Sequence, residues 1–187
     1  MTDAVLVDLV LRVEPRVEVV FIDTGWHFPE TLETLERVRE RYHPNLRVVA
    51  TADRGSLPWT DSESCCGPAK VAVLDEALVG RAAWMSGLRR TESASRAGTP
   101  VVARDVRGLV KVNPLANWTD DDVAAYIARH DVPVNPLVSR GYPSVGCWPC
   151  TVPVEDGAPT RSGRWPGQAR TECGLHVDAG GDRTDAG

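Results

Sequence analysis

The chain has 187 residues, of which 42% are hydrophobic, enough for one globular domain with a sizeable core. Its formal net charge of -5 gives no ground for expecting nucleic acid as a partner, although a local basic pocket for a small anion is compatible with it. No apolar run is long enough to span a bilayer and the N-terminus lacks the order of a signal peptide, so a cytoplasmic protein with no membrane partner is expected.

Residues 4 to 13 place Val5, Leu6, Leu9, Val10 and Val13 on one helical stripe, which Glu14-Pro15 ends. Val17 to Ile22 is β-branched and mostly apolar and runs into Asp23-Thr24-Gly25, as expected of a buried parallel strand ending in a polar loop. Such strand ends are where open α/β sheets bind ligands, but the same three residues also read as a plain turn. Pro29 to Arg41 reads as a helix, with proline in its first turn, acidic residues early and arginines late. Arg47 to Ala50 follows as a short strand.

Lys70 to Val79 reads as a further helix, and Ala82 to Ser86 and Leu109 to Val112 as two short strands. Thr119-Asp120-Asp121-Asp122 caps a helix that runs to about Arg129, with Tyr126 on its buried face. Proline and glycine then recur up to about Gly167, which makes this part mostly loop. From about Val177 the residues are small, acidic and glycine-rich, and a disordered tail over 177–187 is expected. Alternating strands and helices before a cysteine-bearing, loop-rich end argue for an α/β fold with an appended catalytic segment.

The five cysteines divide unevenly: Cys65-Cys66 and Cys147-Trp148-Pro149-Cys150 form two couples, and Cys173 stands alone in Glu172-Cys173-Gly174-Leu175-His176. In a reducing cytosol close couples point to metal ligands or redox groups before structural disulfides. Four thiolates suit either zinc or an iron–sulfur cluster. Adjacent cysteines are awkward around one tetrahedral zinc and easier on a cube whose irons each take one thiolate. Zinc, a redox-active disulfide and incidental buried thiols stay open on spacing alone.

Cys173 is the candidate nucleophile, since a thiolate becomes reactive where positive charge or a helix terminus lowers its pKa. His176 lies three residues on and shares a face with it if the segment is helical. The bland alternative makes Cys173 a small core residue. Lys70, Arg89, Arg90, Arg96, Arg161 and Arg164 could together form an anion pocket, because arginine forks match phosphate and sulfate, although each one alone reads equally as a surface charge. Trp118 and Trp165 read as packing residues.

Together these motifs resemble the assimilatory adenylyl-sulfate (APS) reductases that carry an iron–sulfur cluster, relatives of the PAPS reductases. The resemblance rests on Asp23 to Thr31, Cys65-Cys66 with Lys70, Gly87-Leu88-Arg89-Arg90, Lys111 to Leu115, Asn135-Pro136-Leu137, Gly141 to Thr151, Arg161 to Trp165 and Glu172 to His176, in the family's order along nearly the whole chain. It implies an adenine-nucleotide α-hydrolase-like fold over residues 1–176, a parallel sheet flanked by helices with a mobile C-terminal catalytic segment. It implies that Cys65, Cys66, Cys147 and Cys150 ligate a 4Fe-4S cluster and that Cys173 attacks the sulfur of APS. It further implies that AMP leaves, that thioredoxin or a similar dithiol frees sulfite from the S-sulfocysteine, and that Lys70, Arg89, Arg90, Arg96, Arg161, Arg164 and His176 bind substrate. The oligomeric state stays open, a homo-oligomer included.

Against the family pattern, Met1 to Leu6 aligns with the end of a phosphate loop, so the first strand and most of that loop are expected to be missing. The stretch between Tyr42 and Cys65 is also short, alanine stands at position 69 where arginine is usual, and Glu92 stands where glutamine is common. The alternatives to an APS reductase are therefore a PAPS reductase and an inactive, metal-binding remnant of the family.

Overall fold

The computed structural model describes residues 2–51, 68–168 and 170–176. The predicted tail, 177–187, and the couple Cys65-Cys66 lie outside them.

Helix α1, Thr2–Val13, and strand β1, Glu18–Asp23, are joined by the tight break at Glu14-Pro15. Helix α2, Pro29–Tyr42, begins with proline in its first turn and stops where His43 turns left-handed at φ 44° and returns its amide to the Arg39 carbonyl. Strand β2, Asn45–Ala50, then pairs with β1 in parallel from Glu18 opposite Asn45 to Asp23 opposite Ala50. These elements fall where the apolar patterning places them.

Helix α3, Pro68–Ala77, precedes a second sheet made of β3, Ala83–Met85, β4, Val102–Arg104, and β5, Val110–Val112. β5 is central, parallel to β3 and antiparallel to β4. The strands pair as two sheets among the described residues, and the antiparallel edge strand β4 is one that apolar patterning does not reveal. Its three residues follow Pro100 and end on a charged Arg104, and Val102 is 60% exposed, so no buried stripe marks it.

Helix α4, Asp120–His130, starts on a capping box: the Thr119 hydroxyl accepts from the Asp122 amide at 3.1 Å, while the Asp122 carboxylate accepts from the Thr119 amide at 2.8 Å. Those bonds from Thr119 hold the Asp122 carboxyl below the usual carboxylate range. Val5, Leu115, Val123 and Val132 form the buried core between α1 and α4, with Leu6, Leu9, Trp118 and Tyr126 packed on it. Val13, although on the α1 stripe, is 83% exposed because the helix ends there beyond the core.

One charge sits inside that core. Asp8 is 2% exposed and accepts from Arg12 Nε at 2.7 Å and Tyr126 Oη at 2.6 Å. Burial opposes its ionisation, but the bonds from Arg12 and Tyr126 and the Arg12 charge outweigh burial and keep its carboxyl below the usual range.

Candidate active site

The loop after β1 shapes the first part of the site. Gly25 adopts φ 73°, a left-handed conformation that glycine takes at no steric cost, and its amide donates to the Asp23 carboxylate at 2.8 Å. This tight turn brings Thr24, 1% exposed, to the cysteine turn Trp148–Cys150, where Thr24 Oγ1 lies 3.2 Å from Cys147 Sγ. The Trp148 amide donates to the Trp26 carbonyl at 2.9 Å, and the two indole rings stand 5.7 Å apart. His27 Nε2 lies 3.0 Å from the Ile22 carbonyl, and its residue bridges Cys147. Asp23-Thr24-Gly25 forms a tight turn that sets Thr24 against Cys147.

Cys147 and Cys150 are 4% and 1% exposed. The Cys150 amide returns to the Cys147 carbonyl at 3.0 Å, and the Thr151 hydroxyl donates to that same carbonyl at 2.9 Å. Two buried sulfur donors on one turn are suited to a metal cluster. Their expected partners, Cys65 and Cys66, lie outside the described residues, and among the described residues no three candidate ligands come together.

The second part is an arginine cleft. Residues 161–165 run beside 150–152: the Trp165 amide donates to the Cys150 carbonyl at 2.9 Å and the Val152 amide to the Gly163 carbonyl at 2.9 Å. Trp165 is 2% exposed and holds φ 50°, a strained value for a residue with a Cβ. The Arg164 and Arg161 guanidinium groups lie 4.5 and 5.5 Å from its ring centre. With Arg170, Ser93 and Ser162 they line an open cavity of about 330 Å³. Buried Nε atoms of both Arg161 and Arg164 have no hydrogen-bond partner among the described residues. Burial, then the neighbouring Arg96 charge, pushes the Arg161 pKa down to about 10, which leaves it a cation at neutral pH. The packing sense of Trp165 agrees with the sequence reading, while its strained backbone was not visible there.

The third part is the C-terminal segment. Cys173 is a half-buried thiol that forms no disulfide among the described residues. The short turn Gly174–His176 that follows packs against α3, the helix that carries half-buried Lys70 in its first turn. Glu172, just before the cysteine, is held by Arg96 and Arg161. Sequence patterning singles out Cys173 and His176 but gives no hint of Glu172's role, because its partners lie far away in the chain.

The remaining predicted anion ligands are distributed differently. Arg89, 2% exposed, gives its guanidinium to Asp120 at 2.6 Å, to Thr91 and to the Trp118 carbonyl. Arg90 Nε donates to the Thr99 carbonyl at 2.7 Å. The structure therefore brings Arg161 and Arg164 to the cleft, joins Arg96 to Arg161 through Glu172, and gives Arg89 and Arg90 hydrogen-bond partners within the fold.

The sequence model of the phosphoadenosine phosphosulfate reductase domain matches residues 1–153. The chain belongs to that family. An adenosine 5'-phosphosulfate reductase of Rhodococcus opacus is 46% identical over 95% of this chain and 76% of its own length. One of Mycobacterium tuberculosis is 48% identical over 95% of this chain and 74% of its own length. Among solved structures, the phosphoadenylyl-sulfate (PAPS) reductase of Candida auris, in a phosphate complex, superposes with a TM-score of 0.69 at 29% identity, covering 81% of this chain and 78% of that one. The FMN adenylyltransferase of Candida glabrata, at 18% identity and a TM-score of 0.55, shares the α/β fold. Family membership thus extends the match beyond the cysteine motifs to the strands and helices that hold them.

Proposed function

We propose that the protein reduces adenylyl sulfate to sulfite and AMP in sulfate assimilation, with Cys173 as nucleophile and thioredoxin or a similar dithiol as reductant. The observation that carries this reading is the seating of the Cys173 segment beside a cleft lined by Arg161, Arg164 and Arg170. Relatives at 46% and 48% identity bear the name of an APS reductase and supply the substrate.

Sulfate sulfur is shielded by anionic oxygens, so a thiolate approaches it only where cations neutralise them. Arg161 and Arg164, which line the cleft, would do this with their positive charge. The Cys173 thiolate forms a bond to sulfur as the sulfur–oxygen bond to the nucleotide phosphate breaks, and AMP leaves with that electron pair. A thiolate of the reductant then attacks Cys173 Sγ and sulfite leaves with the sulfur–sulfur electron pair; the reductant's second thiol attacks the resulting mixed disulfide at the reductant's own sulfur, closing its disulfide and expelling the Cys173 thiolate. The two electrons come from the dithiol. Docking of the segment excludes water during attack, and its release exposes the intermediate.

Cys147 and Cys150, buried on one turn, fit as two of the ligands of a 4Fe-4S cluster, with Cys65 and Cys66 as the other pair. When bound, the cluster supplies local charge that organises the anion site rather than electrons for the reaction. Lys70 is assigned to the substrate's sulfate and His176 to substrate binding, on a helix and a turn that pack together. The name of the Candida auris neighbour favours a 3'-phosphorylated substrate as the second reading.

Mixing the cluster-loaded protein with each nucleotide and measuring sulfite tests both. Adenylyl sulfate is expected to give sulfite with thioredoxin, and mass spectrometry to find a sulfonate adduct on Cys173. An unchanged rate in Cys173→Ser would sink the assignment.

A further inference from the structure

Glu172 makes more bonds than its place in a terminal loop requires. Its Oε1 accepts from Arg96 Nε at 2.7 Å, Ser95 Oγ at 3.1 Å and Ser93 Oγ at 3.4 Å. Its Oε2 accepts from Arg96 Nη2 at 2.7 Å and Arg161 Nη2 at 3.1 Å. The Arg96 contact is a two-pronged fork, the geometry in which guanidinium binds carboxylate most tightly. Ser93 to Arg96 belong to the short turns after β3, whereas Arg161 belongs to the arginine cleft, so one carboxylate ties three parts of the chain together.

Arg96, the main receiving group, has a second carboxylate partner. Arg96 is 9% exposed and also donates to Glu92. Glu92 itself accepts from the Thr2 hydroxyl at 3.1 Å and from the Arg89 amide at 3.4 Å, which fixes it from the other side. A buried guanidinium abandoned by its only carboxylate would be costly, but here Glu92 keeps Arg96 paired when Glu172 withdraws. Burial opposes ionisation of Glu172, yet the Arg96 hydrogen bonds and the Arg96 and Arg161 charges keep its carboxyl below the usual range. The anchor is therefore charged at neutral pH.

We infer that Glu172 is the positioning residue for Cys173, a reversible carboxylate anchor that seats against Arg96, Arg161, Ser93 and Ser95 and holds the adjacent cysteine at the head of the turn that packs on α3. This rests on the reading of Cys173 as nucleophile. Release of one side chain would free the segment for the reductant, and its return would restore the attacking geometry.

The test follows alkylation of Cys173 by iodoacetamide in the full-length, cluster-loaded protein without nucleotide, with the modified residue identified by mass spectrometry. Rates are taken up to the plateau at high pH, where the thiol is fully ionised. In Glu172→Gln the plateau rate is expected to rise about tenfold, because the segment spends more time undocked. With adenylyl sulfate the same variant is expected to lose about tenfold in kcat while KM changes less than about threefold. Glu172→Asp, which keeps the charge but loses reach, falls between the two, and Ser95→Ala, a milder change, raises the alkylation plateau about twofold. An unchanged plateau, or a shift of the alkylation midpoint along the pH axis alone, overturns the anchor. Faster alkylation in a protein that releases no sulfite from either nucleotide would support the anchor and sink the nucleophile reading instead.

Discussion

The Trp165 amide donates to the Cys150 carbonyl at 2.9 Å, which joins the arginine cleft and the cysteine turn into one unit. A ligand held by Cys147 and Cys150 and an anion held by Arg161 and Arg164 are therefore positioned by the same short stretch of backbone. Disturbing either side is expected to be felt at the other.

Gly146 tests this coupling most directly. A Cβ at this position would run into the Arg164 guanidinium, so Gly146→Ala must displace that side chain. Among the described residues the Arg164 side chain is tied by a long 3.4 Å contact to Ser144 Oγ and by its stacking on Trp165, so it can move without unfolding the core. The expected result is a KM for adenylyl sulfate raised about tenfold, the weight of one charge-assisted contact. Steady-state kinetics beside a thermal melt decide it, and an unchanged KM would remove Arg164 from the anion site.

Tyr126 and Asp8 set a pH dependence of stability. Burial, then the bond to Asp8, pushes the Tyr126 pKa up to about 12 from an ordinary 10.0. A raised folded-state pKa gives stability that is complete below the unfolded value and is lost as pH climbs through the folded one, so this contribution disappears between about pH 10 and 12. Asp8 has the opposite sign: its lowered pKa gives stability present above its ordinary 3.8 and lost as pH falls below that value. Tyr126→Phe is expected to cost about 1–2 kcal/mol at neutral pH and to flatten the alkaline loss. Urea titrations at pH 7, 10 and 11 would show it, and a variant as pH-sensitive as the parent would refute the pairing.

Thr24 Oγ1 stands 3.2 Å from Cys147 Sγ, close enough to steady the sulfur as a ligand. Thr24→Val keeps the shape and removes the hydroxyl. Outer groups of this kind are worth about tenfold or more in metal affinity. Iron is expected to leave the variant about tenfold faster under a chelator, followed by the loss of visible absorbance. Equal rates of iron loss would show that the hydroxyl only caps its own turn.

The elements that patterning reveals are those whose signal is local. The capped helix at Thr119, the proline-led helix α2 and the apolar strand β1 carry their instructions within a few residues. β4 is hidden because it is three residues long and half of its faces look at solvent. The same limit applies in the site. Cys147 and Cys150 declare themselves by spacing, but Glu172 acquires meaning only when the fold brings Arg96 to it across 76 positions. Asp23-Thr24-Gly25 reads in sequence both as a ligand-binding strand end and as a plain turn, and its contact with Cys147, 123 positions away, is not visible there.

The backbone of Trp165 provides the sharpest remaining test. Its φ of 50° lies in the left-handed region, where a residue with a Cβ is strained by about 1 kcal/mol. The buried indole must outweigh that strain, so Trp165→Ala is expected to lose about 3–5 kcal/mol through the cavity it leaves. Trp165→Gly removes the same ring but also relieves the backbone. Glycine ordinarily destabilises a folded chain relative to alanine by its extra freedom when unfolded, so the usual order puts alanine ahead. At this position the order should reverse, with the glycine variant about 0.5–1 kcal/mol more stable than the alanine variant. Paired denaturant titrations measure that difference, and alanine ahead of glycine would mean that residue 165 does not hold the left-handed conformation in solution.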